Sequence, residues 1–369
     1  MSKLQELIKK LCPDGVEFRK LGEVCEIKRG VRVVKNDLIN DGKYPVFQNS
    51  LIPLGYYEKN NYPANITFVI SAGAAGEIGY TEEPIWAADD CLTIISPNNI
   101  INKFIYYCLI ANKLFFVSKV RRASVPRLSR TVVDNFEIPI PPLEIQSEIV
   151  RILDTFTAHT AELQAELQAR KEQYEYYRNK LLTFDENDEG VKWMKLGEIY
   201  DMKAGKSIPA SEISSVKTEE FQYPCYGGNG LRGYVSIFNQ EGEKVLIGRQ
   251  GALCGNVCFA ENLFYATEHA VVVSDKGYCL PRYSFYLLTM MDLNQYKTAG
   301  AQPGLSVSRL EKISIPVPPL SEQKRIISIL DKFESLVNDL SEGLPAEIAA
   351  VQEQYEYYRN KLLTFKRKS

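Results

Sequence analysis

The sequence of 369 residues is poor in residues that build metal centres, since it has two histidines, His159 and His269, and eight scattered cysteines. Only Cys254 and Cys258 lie close together, four residues apart, so a zinc site would lack ligands. Dispersed cysteines are typical of reduced thiols that pack as small apolar groups. Neither a disulfide nor a metal site is therefore expected.

The sequence also lacks a long apolar run and an excess of positive charge. No run reaches the roughly 18 apolar residues that would span a bilayer, which predicts a soluble, cytoplasmic protein. The 44 Lys and Arg against 46 Asp and Glu give a net charge of −2. This argues against DNA binding, because a protein that binds DNA uses Lys and Arg to neutralise the phosphates. Local clustering is the better guide, and two basic runs occur, at 28–32 and 121–130.

An internal repeat is the strongest positive signal. Residues 172–184, EQYEYYRNKLLTF, recur without change as residues 353–365. Weaker matches keep the same order, 138–143 with 315–320 and 20–24 with 195–199. The chain is thus two homologous halves, in which framework positions repeat while the residues between them diverge. This pattern indicates one architecture used for two different targets.

Each half begins with short β-branched and aromatic runs cut by Gly, Pro and Asn, which is typical of a mixed α+β domain with many turns. Strands are predicted at 66–70, 92–95, 245–247 and 270–273, and helices at 102–116 and 281–292.

Each half ends in a predicted long helix that starts after a proline-rich stretch, since proline suits an extended approach and the first helical turn. Spacings of four and three form a heptad seam typical of a coiled coil. In the first helix the seam comprises Ile149, Leu153, Phe156, Thr160, Leu163, Leu167, Arg170, Tyr174, Tyr177 and Leu181. The alternative is one long amphipathic helix lying on a globular core, which the length of the pattern disfavours.

The second helix continues the same seam from Ile326 through Leu340, but it contains four additional residues near Gly343-Leu344-Pro345. Such a stutter predicts a break, with Pro345 restarting the helix.

Two divergent domains, each followed by a near-identical helix with a Pro-Pro-Leu start and a Tyr-Glu-Tyr-Tyr-Arg-Asn-Lys-Leu-Leu end, resemble the specificity (S) subunit of type I restriction-modification systems over essentially the whole chain. The tandem TAEL and QAEL at 160–167 also resemble four-residue repeats in the central helix of one subgroup. The resemblance implies that each target-recognition domain reads one half of a split double-stranded DNA sequence. It also implies docking of two methyltransferase (M) subunits on the paired helices, joined by restriction (R) subunits.

The expected fold is α+β, with two homologous mixed α/β target-recognition domains, two long antiparallel coiled-coil helices between them and a pseudo-two-fold internal repeat. The expected boundaries are 1–138 and 185–315 for the recognition domains, and 139–184 and 316–369 for the helices. The resemblance implies a non-catalytic, DNA-binding subunit without a cofactor or membrane association. S-adenosylmethionine, ATP and Mg are expected in the partner subunits.

Motifs for catalysis are missing from the sequence. Adenine methyltransferases of this kind carry Asn/Asp-Pro-Pro-Tyr/Phe, whereas Ile140 and Val317 precede the Pro-Pro pairs here. Gly205-Lys206-Ser207 resembles the end of a phosphate-binding loop, but Tyr200 stands where that motif needs glycine. Two rival functions remain open, namely a coiled-coil adaptor that binds proteins and a fragment of a single-chain restriction-methylation enzyme.

Candidate DNA-reading residues are those whose side chains suit guanine, adenine or phosphate and that lie in loops. In the first domain they are Lys28, Arg29, Arg32, Gln48, Asn49, Arg121, Arg122, Arg127 and Arg130. In the second they are Lys203, Lys206, Asn229, Arg232, Arg249, Gln250, Gln302 and Arg309. Any of them could equally be a solvated surface residue or a phosphate contact. Candidate partner-binding residues are Tyr176, Tyr177, Tyr357 and Tyr358, for which packing in the helix core is the alternative.

Overall fold

A computed structural model describes residues 3–39, 42–251, 253–298, 304–338 and 343–368. The predicted seam residue Leu340 and the DNA-reading candidate Gln302 lie outside the described residues. The chain divides into two compact units. Unit 1 comprises Met1–Gln164 and Glu347–Ser369, and unit 2 comprises Ala165–Ala346.

The first half of the chain alternates short strands and helices before one long helix. Its helices are α1 (Lys3–Leu11), α2 (Leu21–Val24), α3 (Asn102–Ala111), α4 (Lys113–Ser118), α5 (Arg130–Asp134) and α6 (Leu143–Leu182). Its strands are β1 (Phe18–Lys20), β2 (Glu26–Arg29), β3 (Tyr44–Phe47), β4 (Gly55–Tyr57), β5 (Ile66–Ile70), β6 (Ile78–Thr81), β7 (Trp86–Ala87), β8 (Cys91–Ile95) and β9 (Glu137–Pro139).

The second half repeats this order. Its strands are β10 (Lys192–Lys195), β11 (Tyr200–Ala204), β12 (Tyr223–Gly227), β13 (Gly230–Val235), β14 (Gln240–Glu241), β15 (Lys244–Gly248), β16 (Val257–Ala260), β17 (Leu263–Ala266), β18 (Ala270–Asp275) and β19 (Ser314–Val317). Its helices are α7 (Leu196–Ile199), α8 (Pro281–Met290), α9 (Val307–Leu310), α10 (Leu320–Asn338) and α11 (Leu344–Leu362).

Each unit contains a four-stranded antiparallel sheet, a second sheet of three strands in unit 1 or four in unit 2, and a two-stranded pair. The strand orders in unit 1 are β2-β8-β5-β6, β4-β3-β7 and the pair β1-β9. Those in unit 2 are β11-β18-β15-β16, β13-β12-β17-β14 and the pair β10-β19. The two units therefore share one sheet topology, and unit 2 adds β14 at an edge.

The predicted strands and helices are present. The strand predicted at 66–70 is β5, residue for residue, and the other three predicted strands lie within β8, β15 and β18. The helix predicted at 102–116 instead divides into α3 and α4 at Asn112, whose side-chain amide donates to the Cys108 carbonyl (2.9 Å). Asn112 thus takes up a carbonyl that a continuing helix would have bonded.

The core of each unit includes residues from both long helical regions of the chain. In unit 1, Ile149 and Leu153 of α6 are fully buried, and Tyr355 and Leu362 of α11 pack against the same cluster. In unit 2, Leu330 of α10 is fully buried, and Tyr174 and Leu181 of α6 pack against its cluster.

The seam predicted from the heptad pattern is confirmed by two matching aromatic stacks. In unit 1 Phe156 stacks on Tyr358, and in unit 2 Phe333 stacks on Tyr177; each pair has ring centroids 5.5 Å apart and planes inclined by 24°. The long central helix is confirmed as α6, which has 40 residues. The second long region consists of α10 and α11, with Pro345 in the first turn of α11 as predicted. No helix among the described residues is both long and apolar enough to cross a membrane.

A buried glutamine joins the start of each long region to the globular part of its unit. Gln146 is fully buried and accepts from the Ile101 amide (2.8 Å), while its amide group donates to the carbonyls of Pro141 (2.7 Å) and Asn99 (3.2 Å).

Gln323 occupies the same place in unit 2. It accepts from the Leu280 amide (2.8 Å) and donates to the carbonyls of Pro318 (2.9 Å) and Tyr278 (3.0 Å). A single side chain thus satisfies three backbone groups and fixes the direction in which the helix leaves the proline-rich stretch.

We predict that Gln146→Leu destabilises unit 1 by roughly 3 kcal/mol or more, because leucine leaves three backbone groups without this partner. Hydrogen exchange measured by mass spectrometry should show lost protection in β5 and β8 but not in β15 and β18. Gln323→Leu should give the reverse pattern. The exposed Gln164→Leu in α6 serves as the control, and equal loss of protection in both units after Gln146→Leu would contradict the prediction.

Candidate nucleic-acid interface

In unit 1 the loops that carry most of the basic candidates meet at one edge of the main sheet. Strand β2 ends where β8 begins, with Arg29 opposite Leu92, and β5 ends opposite Cys91. The Gly30 amide then donates to the Cys91 carbonyl (3.0 Å). A Cβ on Gly30 would lie 2.2 Å from the Ala87 carbonyl oxygen, so only glycine permits this approach.

The second loop of this surface carries Gln48 and Asn49. The Cys91 thiol donates to the Gln48 carbonyl (3.3 Å), and the Ala74 amide donates to the Asn49 carbonyl (2.9 Å). Burial raises the pKa of Cys91 to about 12, so the thiol keeps the proton that it donates at neutral pH.

The third loop brings Arg121 and Arg127 to the same edge. Each of these two residues donates its amide to the carbonyl of the other (2.9 and 3.1 Å), and the Leu128 amide donates to the Ser71 carbonyl just beyond β5 (2.8 Å). The side chains of Arg121, Arg122 and Arg127 are exposed. We call this set of loops the unit 1 loop surface; it comprises residues 29–32, 47–49, 71–74, 87–91 and 121–128.

Two basic candidates of the first domain are instead engaged with neighbouring acids. Lys28 pairs with Glu26 on β2 (2.9 Å), and Arg130 pairs with Asp134 on α5 (3.3 Å). Exposed pairs of this kind contribute little to stability, so they do not prevent either side chain from contacting a phosphate.

Unit 2 builds the same arrangement around Gly205. The Gly205 amide donates to the Ala270 carbonyl (3.0 Å), and the Lys206 amide donates to the Ala266 carbonyl (3.0 Å). A Cβ on Gly205 would lie 2.1 Å from the Ala266 carbonyl oxygen. The close approach that requires Gly30 in unit 1 therefore recurs here and places Lys206 at the sheet edge.

Arg249 and Gln250 follow β15 at this edge. The Arg249 amide donates to the His269 carbonyl (2.8 Å), and its carbonyl accepts from the Leu305 amide (2.8 Å). Gln250 forms a β-bridge with Gly304. The Gln250 side chain is exposed and that of Arg249 is partly exposed.

The β12–β13 hairpin lies alongside, with Asn229 in its turn and Arg232 on β13. A Cβ on Gly228 would lie 2.9 Å from the Gln250 carbonyl oxygen, which places the Asn229 turn against the Arg249 loop. Burial raises the pKa of the Cys225 thiol to about 11, and the positive charge of Arg232 acts on this pKa in the opposite direction. We call residues 204–207, 227–232, 249–250, 266–270 and 304–306 the unit 2 loop surface.

The remaining candidates of the second domain lie elsewhere or cannot be placed. Lys203 pairs with Asp201 on β11 (2.6 Å), as Lys28 does with Glu26 in unit 1. Arg309 is exposed on α9, and Gln302 is outside the described residues.

The two loop surfaces share backbone hydrogen bonds but present different side chains. In unit 1 the Ser71 amide donates to the Asp90 carbonyl (2.7 Å), at the place where Arg249 donates to His269 in unit 2. Ala72 bridges Arg127 in unit 1, where Gln250 bridges Gly304 in unit 2. At this place unit 1 presents Arg127, from the 121–128 loop, whereas unit 2 presents Arg249, from the end of β15.

The loop residues that sequence reasoning missed are acidic or histidine. Asp89 lies two residues after β7, and Glu268 and His269 lie at the equivalent place after β17. The sequence does not single them out, because a negative charge is not expected in a surface that faces DNA phosphates. In the part of the chain that the structure describes, no group of three or more His, Cys, Asp or Glu side chains could hold a metal ion.

The duplicated tyrosines fall into two classes. Tyr176 and Tyr357 are the more exposed pair, at 60% and 58%, and Lys180 and Lys361 lie over their rings at 5.8 and 5.3 Å. Tyr177 and Tyr358 are 36% and 40% exposed, because one face of each ring stacks on a seam phenylalanine. Tyr176 and Tyr357 therefore present the larger free surfaces.

Comparison with known proteins identifies the family. The family model of the type I restriction modification DNA specificity domain matches residues 13–173 and again residues 188–350. The specificity subunit of the type I restriction enzyme EcoprrI from Escherichia coli is 50% identical over 208 residues, which are 55% of this chain and 52% of that protein. A putative type I restriction enzyme specificity subunit, S.HindORF215P from Haemophilus influenzae, is 32% identical over 95% of this chain and 96% of its own length.

The fold has a counterpart among solved structures. The crystal structure of the S subunit of a type I restriction-modification system from M. genitalium matches with a TM-score of 0.68 and 18% identity, covering 95% of this chain and 96% of that one. The two matches of the family model fall in the two homologous halves of the chain. The chain belongs to the family of type I restriction-modification specificity subunits.

Proposed function

We propose that this chain reads a two-part DNA target, with the unit 1 loop surface reading one part and the unit 2 loop surface reading the other. Membership of the specificity-subunit family implies DNA target recognition. The observation that supports a two-part target is the backbone hydrogen bonding that the two loop surfaces share. Ser71 in unit 1 and Arg249 in unit 2 form the equivalent backbone hydrogen bond but have different side chains. A frame that is constant while its exposed side chains change suits recognition of two different base sequences.

Recognition by these surfaces is binding, without a covalent step. Exposed arginines such as Arg127 and Arg232 suit bidentate contacts to guanine, and amides such as Asn49 and Gln250 suit adenine. The lysines, including Lys28 and Lys203, suit phosphates, which set affinity and orientation rather than sequence. The methylation and cleavage chemistry belongs to partner subunits, together with S-adenosylmethionine, ATP and Mg.

We also propose that the duplicated 13-residue segments dock two copies of one methyltransferase subunit, with restriction subunits completing the complex. Support comes from the positions that packing does not constrain. Tyr176 and Tyr357 are exposed, as are Lys180 and Lys361, and both are identical in the two copies. Identical exposed surfaces suit identical partners, and exposed aromatic side chains are favoured anchors of protein interfaces.

The double substitution Arg249→Ala and Gln250→Ala should relax recognition of the half of the target that unit 2 reads. Each lost bidentate base contact should cost about 1–3 kcal/mol of discrimination. The measurement is methylome sequencing of cells that express the variant with its methyltransferase subunit. The other half of the motif should stay unchanged, because unit 1 has its own loop surface.

Lys312→Ala is the control, since Lys312 is an exposed residue near the start of α7, where the Ile313 carbonyl accepts from Leu196. If both halves of the motif degraded equally in the Arg249 and Gln250 variant, the two side chains would be structural and the proposal would fail for them.

Tyr176→Ala should reduce the number of bound methyltransferase subunits from two to one, and the double substitution Tyr176→Ala and Tyr357→Ala should abolish stable assembly. Removing an exposed aromatic anchor typically costs 2 kcal/mol or more, roughly a 30-fold weaker complex. Native mass spectrometry gives the stoichiometry directly.

Tyr278→Ala provides a matched control, because Tyr278 is 45% exposed but lies outside the duplicated segments. A wild-type complex with a single methyltransferase subunit, or a double variant that still carries two, would rule out this docking surface.

A further inference from the structure

Each loop surface carries a carboxylate at the same place, and in unit 1 a second one, Asp90, stands where unit 2 has His269. Asp89 lies midway between β7 and β8 in unit 1, and Glu268 lies midway between β17 and β18 in unit 2. These segments are the ones against which Gly30 and Gly205 are held. The acids therefore sit at the centre of each set of loops rather than at its rim.

Within the described part of the chain, the fold leaves one oxygen of each carboxylate without a hydrogen bond. Asp89 Oδ1 and Glu268 Oε2 are buried and have no hydrogen-bond partner among the described residues. Thr267, which is completely buried, also has an unpartnered hydroxyl, and His269 has an unpartnered Nδ1. A desolvated carboxylate oxygen without a donor destabilises the native state, so a neutral side chain would be the more stable choice at either position.

Nor do the carboxylates favour DNA binding in general. A negative charge in a surface that faces phosphates weakens association with every DNA sequence. Such a residue disfavours both folding and non-specific DNA binding. It is therefore suited to specificity, because only the correct base provides a favourable contact.

The chemistry of the major groove indicates what that contact is. Arginine and lysine only donate, so they read the acceptors of guanine, while asparagine and glutamine both donate and accept, as adenine requires. The exocyclic amino group of cytosine offers a donor alone, and its partner is an acceptor such as Asp or Glu. The carboxylates supply this acceptor in each loop surface.

In unit 2 the acid has a basic neighbour that also suits base reading. A Cβ on Gly227 would lie 3.6 Å from Thr267 Oγ1 and 3.7 Å from Arg232 Cδ, so Arg232 lies beside the segment that carries Glu268. The other oxygen of Glu268, Oε1, is 3.3 Å from His269 Nε2, and both side chains are about 40% exposed, at 39% and 40%. Glu268 is thus accessible on one side while its second oxygen is buried.

We propose that Glu268 and Asp89 are base-reading carboxylates, each accepting a hydrogen bond from the N4 amino group of a cytosine in its half of the target. The inference rests on the proposed function, because it needs each loop surface to face the major groove.

The test compares Glu268→Gln with Glu261→Gln. Glu261 precedes β17 and Glu268 follows it, so the two variants remove one negative charge at opposite ends of the same strand. Methylome sequencing is carried out for the wild type and both variants, each expressed with the methyltransferase subunit, and thermal unfolding is measured on the purified chains.

Glu268→Gln should lower the preference for cytosine at one position of the unit 2 half by about 10-fold. The unit 1 half should not change, and the unfolding temperature should equal or exceed that of the wild type. Glu261→Gln should leave the whole motif intact. Asp89→Asn should give the same result in the unit 1 half and provides the test if Glu268→Gln fails to fold.

The inference is overturned if the wild type methylates a specific motif that Glu268→Gln and Asp89→Asn leave unchanged, or if these variants unfold at lower temperature and lose methylation evenly at all positions. A wild type that gives no sequence-specific methylation would instead refute the proposed function itself.

Discussion

The constraint on which both units depend is the completion of each core by helical residues from the two long regions of the chain. Unit 1 buries Leu153 of α6 and packs Tyr355 of α11 against the same cluster, while unit 2 buries Leu330 of α10 and packs Tyr174 of α6. Neither half of the sequence therefore contains all the apolar surface that its recognition unit needs. Phe156 stacks on Tyr358 with the same geometry as Phe333 on Tyr177, so the helices pack in the same way in both units.

This shared framework explains how the loops can diverge. Gln146 and Gln323 hold the start of each long region, and Gly30 and Gly205 hold the loop edge, all through backbone groups. Because these contacts do not involve the side chains of the exposed loop residues, Arg127, Arg249 and their neighbours are free to vary without loss of the fold. Backbone contacts thus stabilise the fold, while the exposed side chains remain available for recognition.

Much of this architecture follows from local sequence patterns. The β5 strand is a continuous run of apolar and β-branched residues, and the seam from Ile149 to Leu181 repeats at helical spacing, so both were predictable. The repeat of 172–184 in 353–365 predicted two related halves.

Other features depend on contacts between distant parts of the chain and leave no local signal. In the sequence Gln146 is an ordinary polar residue at the start of a helix. Only the fold shows its hydrogen bonds to the backbone of Ile101 and Asn99, which lie more than 40 residues away. Asp89 and Glu268 resemble ordinary loop acids in the sequence, and only the fold shows that one oxygen of each is buried without a hydrogen-bond partner among the described residues. The break at Asn112 depends on a single side-chain hydrogen bond that competes with a strong helical pattern.

The central claim, that the two units are separate readers built on one frame, can be tested by transplanting one of them. A chain in which residues 20–138 are replaced by a second copy of residues 195–315 keeps Gln146 and both long regions. Methylome sequencing of cells that express this chimera with the methyltransferase subunit should yield a two-part motif in which both parts carry the bases that unit 2 reads in the wild type. A chimera that assembles but still methylates the original first part of the motif would contradict the account.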